Sequence, residues 1–242
     1  MKKTLALAAF IVVSTFVTAQ SKVVVLGMDT VRTPVPGMKN AEVISVYNND
    51  SVLILTGMYV NNIKEGTWKS YHYNGCLQKL ENYKNGNYDG TVLSISRDGN
   101  LDKEENYING VLNGRLAEYN YAGQVKKLEN YKNGKLNGMR KQFYDNSGNK
   151  QEEGFYIDGK RDGLVKWYNA DGKLSIEYTY SKGVMQGPSK TYFSNGKLQS
   201  EGNYKNDNED GEWKEYDETT GELVKTIIYK NGEVTKEIPA KK

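Results

Sequence analysis

Histidine and cysteine are almost missing from this chain: its 242 residues hold one of each, His72 and Cys76. A His/Cys metal cluster, a Cys-x-x-Cys redox pair or a Ser-His-Asp relay needs more of them than that, so much familiar metal and nucleophile chemistry is excluded at once. Proline occurs only four times, and 37% of the residues are hydrophobic. That share, with a mean hydropathy of −0.74, is poor material for a thick apolar core. Neither sign of charge dominates, with 33 Lys and Arg against 30 Asp and Glu. What the chain has in quantity is glycine (25) and tyrosine (19). Many turn formers, many rings and little aliphatic bulk describe a solvated sheet or a repeat architecture.

The first residues read as a targeting segment. Lys2 and Lys3 precede an apolar stretch from Leu5 to Val17, and Val17-Thr18-Ala19 supplies small residues at a signal peptidase site, which predicts cleavage after Ala19. The stretch is shorter than the roughly 20 apolar residues a membrane span needs, and polar Gln20-Ser21-Lys22 follows it. No cysteine follows the apolar run, so a lipoprotein anchor is not expected. The short, Lys-Lys-led form resembles a bacterial leader, and the expected location of the mature chain is the periplasm, the cell surface or the medium. Cleavage leaves 31 basic against 30 acidic side chains, so no global field draws the protein to nucleic acid, which is not expected as a partner. In an oxidising compartment Cys76 is either buried or a free thiol, with an intermolecular disulfide as the sharper alternative.

The strongest signal is a repeat. Tyrosines at Tyr59, Tyr83, Tyr107, Tyr131, Tyr156, Tyr180, Tyr204 and Tyr229 are spaced by 24 or 25 residues, and a fixed period of this length means one supersecondary unit copied in tandem. Each opens a similar phrase, as in Tyr131-Lys-Asn-Gly134-Lys-Leu-Asn-Gly138 and Tyr156-Ile-Asp-Gly159-Lys-Arg-Asp-Gly163. Two residues after the second glycine stands a bulky or apolar side chain (Trp68, Val92, Leu116, Val165, Trp213), with Arg140 and Ser189 as exceptions. Three residues after it stands a lysine in five copies (Lys69, Lys141, Lys166, Lys190, Lys214). Five residues after it stands a ring in most (Tyr71, Tyr119, Phe143, Tyr168, Tyr192, Tyr216), with Ile95 in the remaining one.

Turn glycines follow, and the dipeptides Asn74-Gly75, Asp98-Gly99, Asp171-Gly172 and Asn195-Gly196 predict two-residue type I′ hairpins. A turn at Asn195-Gly196 pairs Lys190 with Glu201, and one at Asp171-Gly172 pairs Lys166 with Glu177. Both are opposite-charge cross-strand pairs. Helical periodicity is absent. The expectation is an all-β, elongated repeat sheet of tandem antiparallel β-hairpins, about seven to eight repeats of 24 residues and roughly 15 strands, with stability summed over nearest neighbours. Its parts are a signal peptide at 1–19, an N-terminal capping or linker region at 20–58, the repeat domain at 59–234, and a polar, frayed C-terminal tail at 235–242.

The units Tyr-x-Asn-Gly-x-x-x-Gly-x-Trp/Val-x-x-Tyr, as in Tyr131 to Phe143 and Tyr204 to Tyr216, resemble MORN repeats. The portion from Asn195 to Tyr204 is similar to the bacterial MORN-repeat variant family, often labelled antitoxin-like. The resemblance covers about residues 59–234. It implies a β-hairpin repeat whose usual role is protein association and, in some members, membrane or lipid contact. Export fits poorly with a cytoplasmic antitoxin.

Candidate chemistry is sparse. Glu104, Glu105, Glu129, Glu153, Glu177 and Glu201 recur with the repeat rather than converging on one place, so they read as solvent-facing sheet positions and not as a glycosidase pair. His72 reads as a surface or strand-edge residue. The glycine phrases precede strands, whereas phosphate cradles need a helix N-terminus, and no twelve-residue loop with spaced oxygen ligands for calcium appears. No metal, no cofactor and no enzymatic activity are expected. The candidate binding stripe combines the rings Trp68, Tyr71, Tyr119, Phe143, Tyr168, Tyr192, Trp213 and Tyr216 with Lys69, Lys141, Lys166, Lys190 and Lys214; the ring column also reads simply as the thin core, since the sheet has little else to bury. Its partner is expected to be protein, with glycan or lipid as the alternative.

Overall fold

A computed structural model describes the backbone of residues 21–25 and the full residues 28–241. The signal-peptide reading lies outside the described residues. The chain divides into two units, Met1–Val111 and Leu112–Lys242. In the first, nine strands run as β1 (Ser21–Val25), β2 (Met28–Pro34), β3 (Ala41–Tyr47), β4 (Leu53–Val60), β5 (Ile63–Tyr71), β6 (Leu77–Lys84), β7 (Asn87–Tyr88), β8 (Gly90–Ile95) and β9 (Leu101–Ile108). β10 (Val111–Tyr119) follows, lying in the second unit except for its first residue. That unit continues with β11 (Val125–Lys132), β12 (Lys135–Leu136), β13 (Gly138–Phe143), β14 (Lys150–Ile157) and β15 (Lys160–Tyr168). It ends with β16 (Leu174–Ser181), β17 (Val184–Tyr192), β18 (Leu198–Lys205), β19 (Asn208–Tyr216), β20 (Leu223–Lys230) and β21 (Glu233–Pro239). Within each unit successive strands pair antiparallel in a meander, except that the two-residue β7 and β12 share β6 and β11 with the strands after them. The all-β expectation holds.

The described strands number 21 rather than about 15, because pairing extends past both ends of the expected repeat domain. Upstream, β2 pairs with β3 and β3 with β4, and Ala41 and Ile44 are buried there, so residues 28–58 are sheet. Downstream, β21 pairs with β20 from Lys230↔Glu233 to Lys225↔Pro239, so residues 235–239 are a strand and not a frayed tail. Ladder hydrogen bonds along one edge hold this last strand although every residue in it is exposed.

Two kinds of turn alternate, and the type I′ turns are not where the Asx-Gly dipeptides placed them. At Lys182-Gly183 both residues have positive φ (51° and 91°) and Ser181 pairs directly with Val184. That is the two-residue I′ geometry, which needs two left-handed residues. At Asn195-Gly196 only the glycine does (φ 90°), and Gly196 N–H donates to Phe193 O at 2.8 Å while Phe193 N–H donates to Lys197 O at 2.9 Å. This is a three-residue loop closed by a left-handed glycine. The expected register still emerges farther out, with Lys190↔Glu201 and Lys166↔Glu177, because a one-residue bulge between Thr191 and Tyr192, or Trp167 and Tyr168, compensates the longer loop.

Copies are stitched at the I′ turns. Gly86 N–H donates to Lys64 O, Gly159 to Leu136 O and Gly183 to Arg161 O, at 2.8–3.0 Å. The acidic or amide residue before the second glycine caps the next turn, as Glu65 does for Asn85 N–H (2.8 Å) and Asp162 for Lys182 N–H (3.0 Å). The repeated Asx/Glx-Gly of the sequence phrase thus serves the following copy.

Candidate functional site

Strand alternation sorts the repeat columns onto two faces. The first face carries the residue two places after the second glycine, and it is the core. Trp68, Val92, Leu116, Val165, Ser189 and Trp213 are buried. Each stands beside a complementary partner on the adjoining strand. Trp68 lies on Gly57, where a Cβ would come within 2.1 Å of the indole, and Trp213 lies on Gly202, where it would come within 2.2 Å. The indole N–H groups donate to Met58 O and Asn203 O, both at 3.2 Å. Repeat tyrosines flank them edge-on, Tyr59 and Tyr83 around Trp68 in the first unit, Tyr204 and Tyr229 around Trp213 in the second.

This placement corrects the candidate stripe. Trp68 is 1% and Trp213 6% exposed, and each is adjacent in sequence to a lysine on the opposite face, so neither joins an accessible row with Lys69 or Lys214. The two tryptophans are the packing of the sheet, as the thin-core reading of these rings has it.

The second face carries the lysine and ring columns. In the second unit they form one ordered row. Lys141 pairs with Glu153, Glu153 with Lys166, Lys166 with Glu177, Glu177 with Lys190, Lys190 with Glu201 and Glu201 with Lys214. Lys166 Nζ lies 3.1 Å from Glu177 and Lys190 Nζ 3.3 Å from Glu201. The ring column is tied to the same acids: Tyr168, Tyr192 and Tyr216 donate their hydroxyls to Glu153, Glu177 and Glu201 at 2.6, 2.8 and 2.8 Å. For Glu177, burial pushes the carboxyl up, but Tyr192, Lys166 and Lys190 outweigh it and hold it below the ordinary glutamate value; Glu201 is likewise held low, chiefly by the Tyr216 hydroxyl. Tyr192 is pushed up to about 12 by burial and by Glu177. The row is therefore a charge-compensated lattice, not a cationic stripe. Tyr119 and Phe143 are half-buried in it, and in the first unit Tyr71 is half-buried while Lys69 is exposed between Thr56 and Leu80.

Sequence reasoning missed what adjoins this row. At the next level of the same face other copies place Thr and Asn, as Thr67 with Asn82 and Thr91 with Asn106, each bonded at 2.8 Å. In the second unit those positions hold Met139, Phe155 and Leu164, which are 42%, 43% and 47% exposed. Met139 pairs directly with Phe155, and Leu164 lies on the neighbouring strand β15. The signal was available at Phe155, where four other copies carry Asn82, Asn106, Asn130 and Asn203, whereas the column of Met139 and Leu164 varies from copy to copy.

His72 is half-buried and its Nε2–H donates to Ile95 O in the following copy at 2.8 Å, a linking role rather than a ligand. Cys76 is a free, partly exposed thiol. Among the described residues no three His, Cys, Asp or Glu side chains converge as a metal site would require. Glu104, Glu153, Glu177 and Glu201 take one face and Glu105 and Glu129 the other, since they stand three and two residues before the repeat tyrosine.

No curated protein matches the chain. Three segments, residues 64–85, 161–182 and 185–206, match the model of the MORN repeat variant. Each runs from just after one I′ turn into the next, so the matched unit is one hairpin closed by the glycine-bulge loop: β5–β6, β15–β16 and β17–β18. The match is to a repeat module and not to a catalytic family. The chain is an all-β protein, and three of its hairpins are similar to the MORN repeat variant, a kind of module commonly used to bind protein or membrane.

Proposed function

We propose that the chain is a non-enzymatic, exported repeat scaffold that binds a protein through the second face of its second unit. The observation that carries this reading is the exposed trio Met139, Phe155 and Leu164, set beside the Lys141–Glu153–Lys166 row. Apolar anchors bordered by charges that are already paired match the anatomy of a protein interface, in which a few large side chains supply the energy and a polar rim excludes water. The glycan or lipid alternative asks for unpaired cations and open ring faces. On this face Lys166 and Lys190 have carboxylate partners, and the Tyr168, Tyr192 and Tyr216 hydroxyls are committed. The basic-apolar leader at residues 2–19 supports export, and export argues against a cytoplasmic antitoxin role.

Immobilised mature protein should capture a defined partner from envelope extracts of its native cells. The variant Met139→Thr/Phe155→Asn/Leu164→Thr, which restores residue types other copies use, should lose that partner by at least about tenfold, as anchor truncation does. Undiminished capture by the triple variant would refute the assignment of this face.

A further inference from the structure

On the first face of the second unit, opposite the protein-binding face and independent of it, we propose a site for a small polycarboxylate, centred on Arg161. A groove of about 800 Å³ opens between the I′ turns at Asp158-Gly159 and Lys182-Gly183, lined by Arg140, Glu152, Tyr156, Lys160, Arg161 and Lys182. Arg140 stands where most other copies bury an apolar residue, and each of its three nitrogens is engaged: Nη1 meets Glu152 at 2.7 Å, Nε meets Glu129 at 3.0 Å and Nη2 donates to Gln142 at 2.6 Å. Glu152 in turn is committed, one oxygen to Arg140 and the other accepting the Tyr156 hydroxyl at 3.1 Å.

Arg161 is left short of acceptors. Its Nη2 reaches Glu152 only at 3.4 Å, and its Nε is buried with no acceptor among the described residues. The guanidinium cannot swing away easily, for it packs on the rings of Trp167, Tyr180 and Tyr156 at 5.4, 5.5 and 5.9 Å. Trp167 has no aromatic counterpart in the other copies, where the position holds Ser70, Ser94, Glu118, Gln142, Thr191 and Glu215. Arg161 lines the groove with its side chain 36% exposed, and the N–H donors of its planar guanidinium suit the two oxygens of a carboxylate. Lys160 and Lys182, both exposed, also line the groove and add two positive charges to it. The nearby acid Asp162 is engaged in capping the Lys182 amide. One carboxylate on Arg161 and a second between the lysines describe a di- or tricarboxylate, either a free organic acid or an acidic sugar.

Titration calorimetry of the mature chain with citrate, with digalacturonate and with inorganic phosphate tests this. At least one of the two carboxylates should bind about tenfold or more tightly than phosphate, given the planar donor edge. Binding of citrate alone assigns a free organic acid, and binding of digalacturonate alone an acidic sugar. Arg161→Lys keeps the charge but loses the fork, and should weaken binding by about tenfold. Lys160→Gln/Lys182→Asn changes only exposed side chains and keeps a residue that tolerates positive φ at 182, so it tests the site even if Arg161→Lys fails to fold; it should weaken binding by a similar factor. Absence of heat with both carboxylates, phosphate binding as tight as either, or undiminished binding by the lysine variant would overturn the proposal.

Discussion

Trp213 fits its place only because Gly202 has no side chain. The φ of Gly202 is not left-handed, so the glycine is there for space alone: a Cβ would sit 2.2 Å from the indole. Gly202→Ala should therefore destabilise the chain by about 2 kcal/mol, the usual cost of overpacking. In a cycle with Trp213→Ala the two effects should be strongly non-additive, with the alanine tolerated once the ring is gone. Urea unfolding of the four proteins measures both. Arg140 obeys a different logic. Its guanidinium holds two carboxylates that are 6% and 9% exposed at the residue level, Glu129 and Glu152. Arg140→Leu, although it matches Leu116 in the same column, should cost about 3 kcal/mol by removing the closest cation from both acids, which would keep only the Tyr131 and Tyr156 hydroxyls and the more distant Lys127 and Arg161. The column rule of the sequence is a rule about burial, and here an ion network satisfies it.

At the scale of the hairpin, the turns carry the specificity of register. Among the described residues seven of the eight I′ turns begin with Asn or Asp in the left-handed region, and the exception is Lys182 with φ 51°. Asn adopts that conformation at lower cost, so Lys182→Asn should stabilise the second unit by about 0.5 kcal/mol. An increase in unfolding midpoint at unchanged slope would show it. The sequence identified both turns by their glycines but could not say which was the two-residue one. Asn195-Gly196 and Asn133-Gly134 are the same dipeptide, yet only in the second is the asparagine left-handed (φ 51°). What separates them is the bulge and the flanking pairing, which are tertiary facts. The Lys190↔Glu201 pair was legible despite this because loop length and bulge cancel.

Across the whole molecule, stability is expected to rest on neighbours. Removing residues 180–203, one full period from the second unit, should leave a β circular dichroism spectrum of undiminished strength per residue and a cooperative transition at lower denaturant. Loss of the β spectrum would contradict additivity. The pH dependence follows from paired acids on both faces. Glu81, Glu152, Glu153 and Glu177 are pushed up by burial, but their cationic and hydroxyl partners outweigh it, and with Glu201 they are held below the ordinary 4.5. A carboxyl with a depressed folded value contributes stability that is complete above about 4.5 and is lost as the pH falls through the folded values. At the other end, burial and the adjoining Glu105, Glu129 and Glu177 push Tyr107, Tyr131 and Tyr192 up to about 12 from 10.0. The unfolded chain ionises first there, so stability should also fall from about pH 10 upward. Unfolding midpoints measured from pH 3 to pH 11 should trace a plateau with both shoulders.

The amino-acid order alone determined the period, the all-β class, the hairpin unit and the Lys–Glu pairing. Each of these is set by local chemistry, namely turn residues, alternation and charge, that recurs at the same place in every copy. Only the tertiary structure decided which columns are core and which are surface, because a one-residue offset along a strand sends Trp213 inward and Lys214 outward. It also decided that Met139, Phe155 and Leu164 stand together and that Arg161 Nε is buried without an acceptor. Those residues are scattered through two copies, and single departures from a repeat acquire meaning only when neighbouring strands bring them side by side.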